Sequence, residues 1–259
     1  MNDYRPPRFA LFPPVVKNLL IANVLFFIAT LVIQNTYRYD LTNLLGLHYF
    51  MSADFKPYQI ITYMFMHGGF LHIFFNMFAL WMFGNMLENY WGSKRFLLFY
   101  LICGIGAAFT QEITQYIYFH GIENALSIYD ASPNLNDFSM LADKYFTGFR
   151  YPQPASTSEA VMILQKLYQL KMDMSVTIGA SGAIFGVLLA FGMLFPNTLL
   201  YVYFAIPIKA KYFVIIYGLI ELYSAISANP SDNIAHFAHL GGMVFGFFLI
   251  LYWKQKKTL

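Results

Sequence analysis

Apolar residues fall into six long stretches, at about 15 to 35, 70 to 90, 95 to 114, 179 to 196, 199 to 226 and 235 to 253. Each is close to the ~20 residues that carry a helix across a bilayer. The pattern predicts an all-α polytopic membrane protein with six spanning helices. The first stretch is too long for the apolar core of a signal peptide, and no small-residue cleavage site follows it, so a retained helix is expected. The fourth is the shortest. From Ser181 to Pro196 it spans roughly 24 Å at about 1.5 Å per residue, against a hydrocarbon core of about 30 Å. If its far end reaches one interface, Ser181 lies below the other. Irregular backbone at that depth is tolerated only inside protein or beside a water-filled cavity, so a wet, enclosed site is predicted there.

The connecting segments carry their own signals. Pro6, Pro7, Pro13 and Pro14 keep the leader extended before the first helix. The loop from about 36 to 69 is rich in aromatic residues and Met, and its Leu44 to Met51 stretch suits a segment lying in the interface. Gly84, Glu88 and Gly92 close the second helix at four-residue spacing, and Gly104, Gly106, Ala107 and Ala108 give the third a small-residue packing surface. Within a single membrane domain, 1–259, residues 115–176 break the apolar pattern as an extramembrane insertion between the third and fourth helices. Glu123, Asp130, Asp137, Asp143, Glu159 and Asp173 fall there. Ser156-Thr157-Ser158-Glu159 reads as a capping box, with Ile163, Leu164, Leu167, Tyr168 and Lys171 following at helical spacing. A short amphipathic helix on the outer leaflet is expected, as part of a lid or a binding extension. Residues 227–233 form a turn-rich polar loop before the last helix.

Composition agrees with a membrane protein: 58% of residues are hydrophobic and 11% charged, against about 25% charged in soluble domains. No nucleic-acid partner is expected. The single cysteine, Cys103, excludes an intramolecular disulfide. Placing the N-terminus inside puts Arg5, Arg8, Lys17, Lys94, Arg95, Lys209, Lys211, Lys254, Lys256 and Lys257 on the inner side. The longer outer segments then hold Arg38, Lys56, Lys144, Arg150, Lys166 and Lys171, the remaining six of the sixteen cations. The positive-inside rule therefore puts both termini in the cytoplasm, and Ser181 opens its helix from the outer side.

The candidate chemistry lies on three helices. His72 and Asn76 sit one turn apart on one face of the second. Polar side chains in lipid are costly unless they face a partner or a cavity. They are therefore either polar glue between helices or donors to a developing negative charge. Ser181 needs a base within about 2.6 to 3.2 Å to act as a nucleophile, and His239 on the sixth helix lies at a similar depth. Gly182 with Gly186, and Gly242 with Gly246, form two GxxxG faces that let these helices approach closely. Backbone N–H groups at the start of the helix, with His72 and Asn76, would then form an oxyanion hole. Competing chemistries fit poorly. The soluble hydrolase elbow needs Gly two residues after the serine and a preceding strand, whereas position 183 is Ala. His236-x-x-His239 lacks the spacing of a zinc protease, and no internal repeat suggests a transporter. No metal or other cofactor is expected.

Three blocks together carry a resemblance: His67-Gly-Gly-Phe-Leu-His72-Ile-Phe-Phe-Asn76, Gly179-Ala180-Ser181-Gly182, and Ala238-His239-Leu240-Gly241-Gly242 with Gly246. In that order, on the second, fourth and sixth helices, they resemble the rhomboid intramembrane serine proteases in their bacterial six-helix form, here with a long loop between helices 3 and 4. The resemblance implies a six-helix bundle using a Ser-His dyad without a catalytic Asp. Ser181 would be the nucleophile and His239 the base, with His72, Asn76 and the Ser181 N–H forming the oxyanion hole. Gly179 and Gly182 match the serine block and Phe185 the aromatic packed on the histidine. The long loop between helices 3 and 4 departs from the pattern, as does His236, one turn before His239 on the same face, which is expected to orient the base or bind water. Phe55-Lys56-Pro57-Tyr58-Gln59 resembles the family's first-loop motif, with a structural role. Implied substrates are single-pass membrane proteins in the lipid bilayer, reaching the site past the fifth helix and the 227–233 loop. The implied location is the bacterial plasma membrane. The alternative is a catalytically silent rhomboid-like protein that binds membrane clients without cutting them. Neither the resemblance nor the residues indicate an oligomeric state.

Overall fold

The computed structural model describes residues 9–202, 205–227 and 235–256. The main helices are α1 (Pro14–Tyr37), α2 (Phe70–Trp91), α3 (Ser93–Ala131), α4 (Leu135–Tyr145), α5 (Thr157–Asp173), α6 (Ser181–Leu194), α7 (Ala210–Ser227) and α8 (His236–Gln255). Five of them, α1, α2, α3, α7 and α8, are long and apolar enough to cross a membrane, while α6 has 14 residues. The fold is a helical membrane bundle. Its centre is α6, ten of whose 14 residues are buried, including all of Gly182–Leu188.

The end of the bundle where α1 begins is closed by a cap. Burying the first backbone N–H groups of a helix requires acceptors. Glu88 on α2 supplies them, taking Val15 N–H at 2.9 Å and Val16 N–H at 2.8 Å, and also the Ser93 hydroxyl at 2.6 Å. Asn85 and Asn89 hold the chain just before α1 by donating to the Leu11 and Ala10 carbonyls. Within α2 a single π-turn spans Leu80–Gly84, and at Gly84 the absent side chain makes room for Val16 and Phe96.

Two expected boundaries are corrected. The third helix does not stop near residue 114 but runs to Ala131, 39 residues in all, or about 58 Å. Gln111, Glu112, Thr114 and Gln115 end the apolar run without ending the helix, because they remain compatible with helical backbone; the first stop is Ser132-Pro133. The 199–226 stretch is not one helix. β3 (Leu199–Val202) and β4 (Ile206–Lys209) form an antiparallel hairpin, and α7 starts only at Ala210. Pro196-Asn197 breaks the chain after α6, and Pro207 lacks the N–H an interior helical position requires.

The far half of α3, with α4 and α5, builds a second core from Phe119, Ile122, Phe138, Leu164 and Leu167 around Tyr49. Ser156 caps α5 by accepting Glu159 N–H at 3.3 Å, and the Glu159 carboxylate accepts Ala155 N–H at 2.7 Å. This layer is tied to the bundle by β1 (Leu47–His48) paired antiparallel with β2 (Val176–Thr177), just before Ser181. Gln59, from the first-loop motif, donates to the Leu44 and Asp54 carbonyls and accepts from the N–H groups of His48 and Lys56. The leader prolines Pro6 and Pro7 and residues 228–233 of the polar loop lie outside the described residues.

Candidate active site

Ser181 is the first residue of α6, and the turn that delivers it depends on Gly179 and Tyr63. Gly179 has φ +121°, a conformation that L side chains rarely adopt. Its N–H donates to the Tyr63 carbonyl at 2.9 Å, and the fully buried Tyr63 hydroxyl donates to the Gly104 carbonyl on α3 at 2.7 Å. Tyr63 therefore fixes the start of α6 to the neighbouring helix. It reads in the sequence as one aromatic among many.

His239 reaches the serine because α6 and α8 touch backbone to backbone. A Cβ at Gly186 would stand 2.8 Å from the Gly242 carbonyl oxygen, and Gly246 packs beside the Gly186 Cα. Across this contact His239 Nε2 lies 2.8 Å from Ser181 Oγ. The Phe185 ring, one turn into α6, stacks on the imidazole with centroids 4.2 Å apart and planes 8° from parallel. Tyr217 of α7 stacks on the Phe185 ring at 5.2 Å. The imidazole plane is thus set by packing.

The opposite edge of His239 meets a residue the sequence reading passed over. His239 Nδ1 lies 2.8 Å from Glu221 Oε2 on α7, and His236 Nδ1 lies 2.6 Å from the same oxygen. Glu221 is 5% exposed. The available signal was a carboxylate six residues from the C-terminal end of an apolar helix, where an ionisable group needs a partner. The resemblance implied a dyad without a catalytic Asp; the carboxylate that meets the histidine here is a glutamate on another helix.

His72 approaches the serine turn from α2, and Asn76 lies one helical turn further along the same helix. His72 Nδ1 accepts the Gly68 N–H at 3.3 Å, so the ring proton sits on Nε2. A Cβ built on Gly179 would be 2.8 Å from His72 Nε2 and 3.5 Å from Ser181 Oγ. The small space over Gly179 thus has a donor on one side and the serine hydroxyl on the other. Asn76 is buried, and its amide nitrogen has no hydrogen-bond partner among the described residues. The His67 ring packs edge-on against His72 at 4.9 Å.

Glu221, His236 and His239 are also the one group of three metal-type donors found among the described residues, their donor atoms lying within 4.8 Å of one another. Hydrogen bonds from both imidazoles to one carboxylate oxygen account for this convergence without an ion.

Residues 54–121 and 157–256 match the Rhomboid domain family, leaving 122–156 between the two matched parts. Over 68 residues the chain is 35% identical to the rhomboid protease GluP of Bacillus subtilis (strain 168), a stretch that covers 26% of this chain and 13% of that relative. The matched family domain spans more than half of the chain and includes every helix that contributes to the site, and the chain therefore belongs to the rhomboid family.

Proposed function

We propose that the protein is an intramembrane serine endopeptidase that hydrolyses peptide bonds in or near the membrane segments of other membrane proteins. The observation that carries this reading is the 2.8 Å approach of His239 Nε2 to Ser181 Oγ beside the donor-lined space over Gly179. Ser181 Oγ attacks the scissile carbonyl carbon while its proton passes to His239 Nε2. The carbonyl oxygen becomes an oxyanion and takes hydrogen bonds from His72 Nε2–H, the Asn76 amide and the Ser181 N–H, which at the first position of a helix has no intrahelical acceptor. The C–N bond then breaks and His239 returns the proton to the departing amine. Water attacks the acyl-serine by the same path, its proton going to His239 and then back to Ser181 as the new carboxyl terminus leaves.

Single-pass membrane proteins in the bilayer are the proposed substrates, cut near the outer interface with both termini of the enzyme in the cytoplasm. Helical peptide bonds are shielded, so a substrate must unwind before Ser181 can reach a carbonyl; helix-breaking residues lower that cost. Access past α7 fits its exposure, since only 17% of its apolar window is buried, against 44% for α3 and α8. We read residues 115–176 as an extramembrane layer over this outer side.

The test is cleavage of single-pass reporter proteins by the purified chain in detergent, with Ser181→Ala and His239→Ala alongside. Cleavage by wild type and by neither folded variant is expected. Cleavage by Ser181→Ala would overturn the assignment, and wild-type inactivity on a panel of substrates would favour the client-binding alternative.

A further inference from the structure

We infer that Glu221 is a positioning residue for His239, giving this chain a Ser-His-Glu relay; the inference rests on the protease reading above. The imidazole has two edges, and the structure assigns one to each neighbour. Nε2 faces Ser181 Oγ at 2.8 Å and Nδ1 faces Glu221 Oε2 at 2.8 Å. An ionised carboxylate only accepts hydrogen bonds, so Nδ1 carries the proton of the neutral ring and Nε2 presents its lone pair to the serine. That is the tautomer a general base needs. When the Ser181 proton arrives on Nε2, the cation that forms lies against a carboxylate with little water between to screen it. No proton moves to Glu221; it holds Nδ1–H throughout the cycle.

Neighbouring contacts hold both the carboxylate and the imidazole. His236, one turn before His239, donates Nδ1–H to the same oxygen at 2.6 Å, so Oε2 is held from two sides. Phe185 stacks on the His239 ring and holds its plane, leaving Glu221 to fix which ring nitrogen carries the proton. Met243 of α8 fills the space beside Gly218, and Tyr217 packs on Phe185, which fixes the turn of α7 that carries Glu221. The competing account is that the carboxylate only ties α7 to α8. That tie would affect folding or substrate access, not the readiness of the serine to react.

The experiment compares wild type, Glu221→Gln and Glu221→Asp in the full-length chain. Readouts are kcat and KM on a reporter, thermal unfolding, and the rate at which a fluorophosphonate probe labels Ser181, which requires an activated serine but no unwound substrate. With Gln, kcat and labelling should fall together by about 100- to 10,000-fold while KM stays within about twofold. Asp, which keeps the charge on a shorter arm, should recover at least about tenfold over Gln. Unchanged labelling in a folded Glu221→Gln variant overturns the relay, whether or not KM or stability shifts. Labelling or cleavage that persists in Ser181→Ala overturns the protease reading instead. If Glu221→Gln does not fold, the wild-type proton NMR spectrum decides. A strongly downfield imidazole N–H signal lost in His239→Ala supports the relay, and its absence from wild type overturns it.

Discussion

Gly242 on α8 lies so close to Gly182 on α6 that a Cβ on Gly242 would stand 1.8 Å from the Gly182 carbonyl oxygen. The obstacle is backbone and cannot rotate away as a side chain could, so the helices themselves would have to separate. Such a shift lengthens the Ser181–His239 hydrogen bond, because Ser181 directly precedes Gly182 on α6 and His239 lies about one turn before Gly242 on α8.

Gly242→Ala is therefore expected to lose cleavage almost completely and to destabilise the fold by about 1 to 3 kcal/mol, the usual cost of overpacking. Gly121→Ala is the control, since nothing lies within 4 Å of the position where its Cβ would be, and both activity and stability should hold. Cleavage assays with thermal unfolding of both variants check this. Retained activity in Gly242→Ala would show that the helix contact does not set the distance between serine and histidine.

The oxyanion assignment predicts a particular kinetic pattern. Removing a donor that acts only on the transition state lowers kcat and leaves KM nearly unchanged. His72→Ala and Asn76→Ala should each lose about 100- to 1,000-fold in kcat, or about 2.7 to 4 kcal/mol. Gly179→Ala should be at least as damaging, because its side chain would occupy the space beside His72 Nε2 and strain the backbone at φ +121°. Steady-state kinetics on one reporter separates these outcomes from loss of substrate binding, which would appear in KM.

Much of this arrangement is legible in the sequence, and the parts that are not share a cause. The apolar runs mark the spans because lipid excludes unpaired backbone, and the glycine pairs at 182/186 and 242/246 announce a close contact before any distance is known. Ser181, His239, His72 and Asn76 stand out as polar groups at membrane depth. Glu221 has the same depth, but no spacing relates it to histidines on another helix; only the packing of α7 on α8 brings them together. Hydropathy likewise reports where lipid ends and not where a helix ends. It therefore gave no sign that α3 continues to Ala131 or that a hairpin precedes α7.

The second core, built by α4, α5 and the far half of α3, should show its own alkaline transition, through Tyr49. This residue, at the end of β1, is 1% exposed, with its ring stacked on Phe119 at 4.7 Å and its hydroxyl donating to Met51 Sδ at 3.3 Å. Burial, reinforced by Tyr168 and Glu112 nearby, pushes its phenol from 10.0 up to about 12. Burial shifts Tyr168 of α5 in the same direction. Below about pH 10 both folded and unfolded chains keep the Tyr49 proton, and stability is independent of it. Between about pH 10 and about pH 12 the unfolded chain releases that proton while the folded one retains it, so stability falls as pH rises. Near-UV circular dichroism in detergent should therefore show a loss of aromatic signal in this range. Tyr49→Phe keeps the ring and removes the ionisation, so the transition should move to higher pH. An unchanged midpoint would assign the alkaline loss to other groups, Tyr168 first among them.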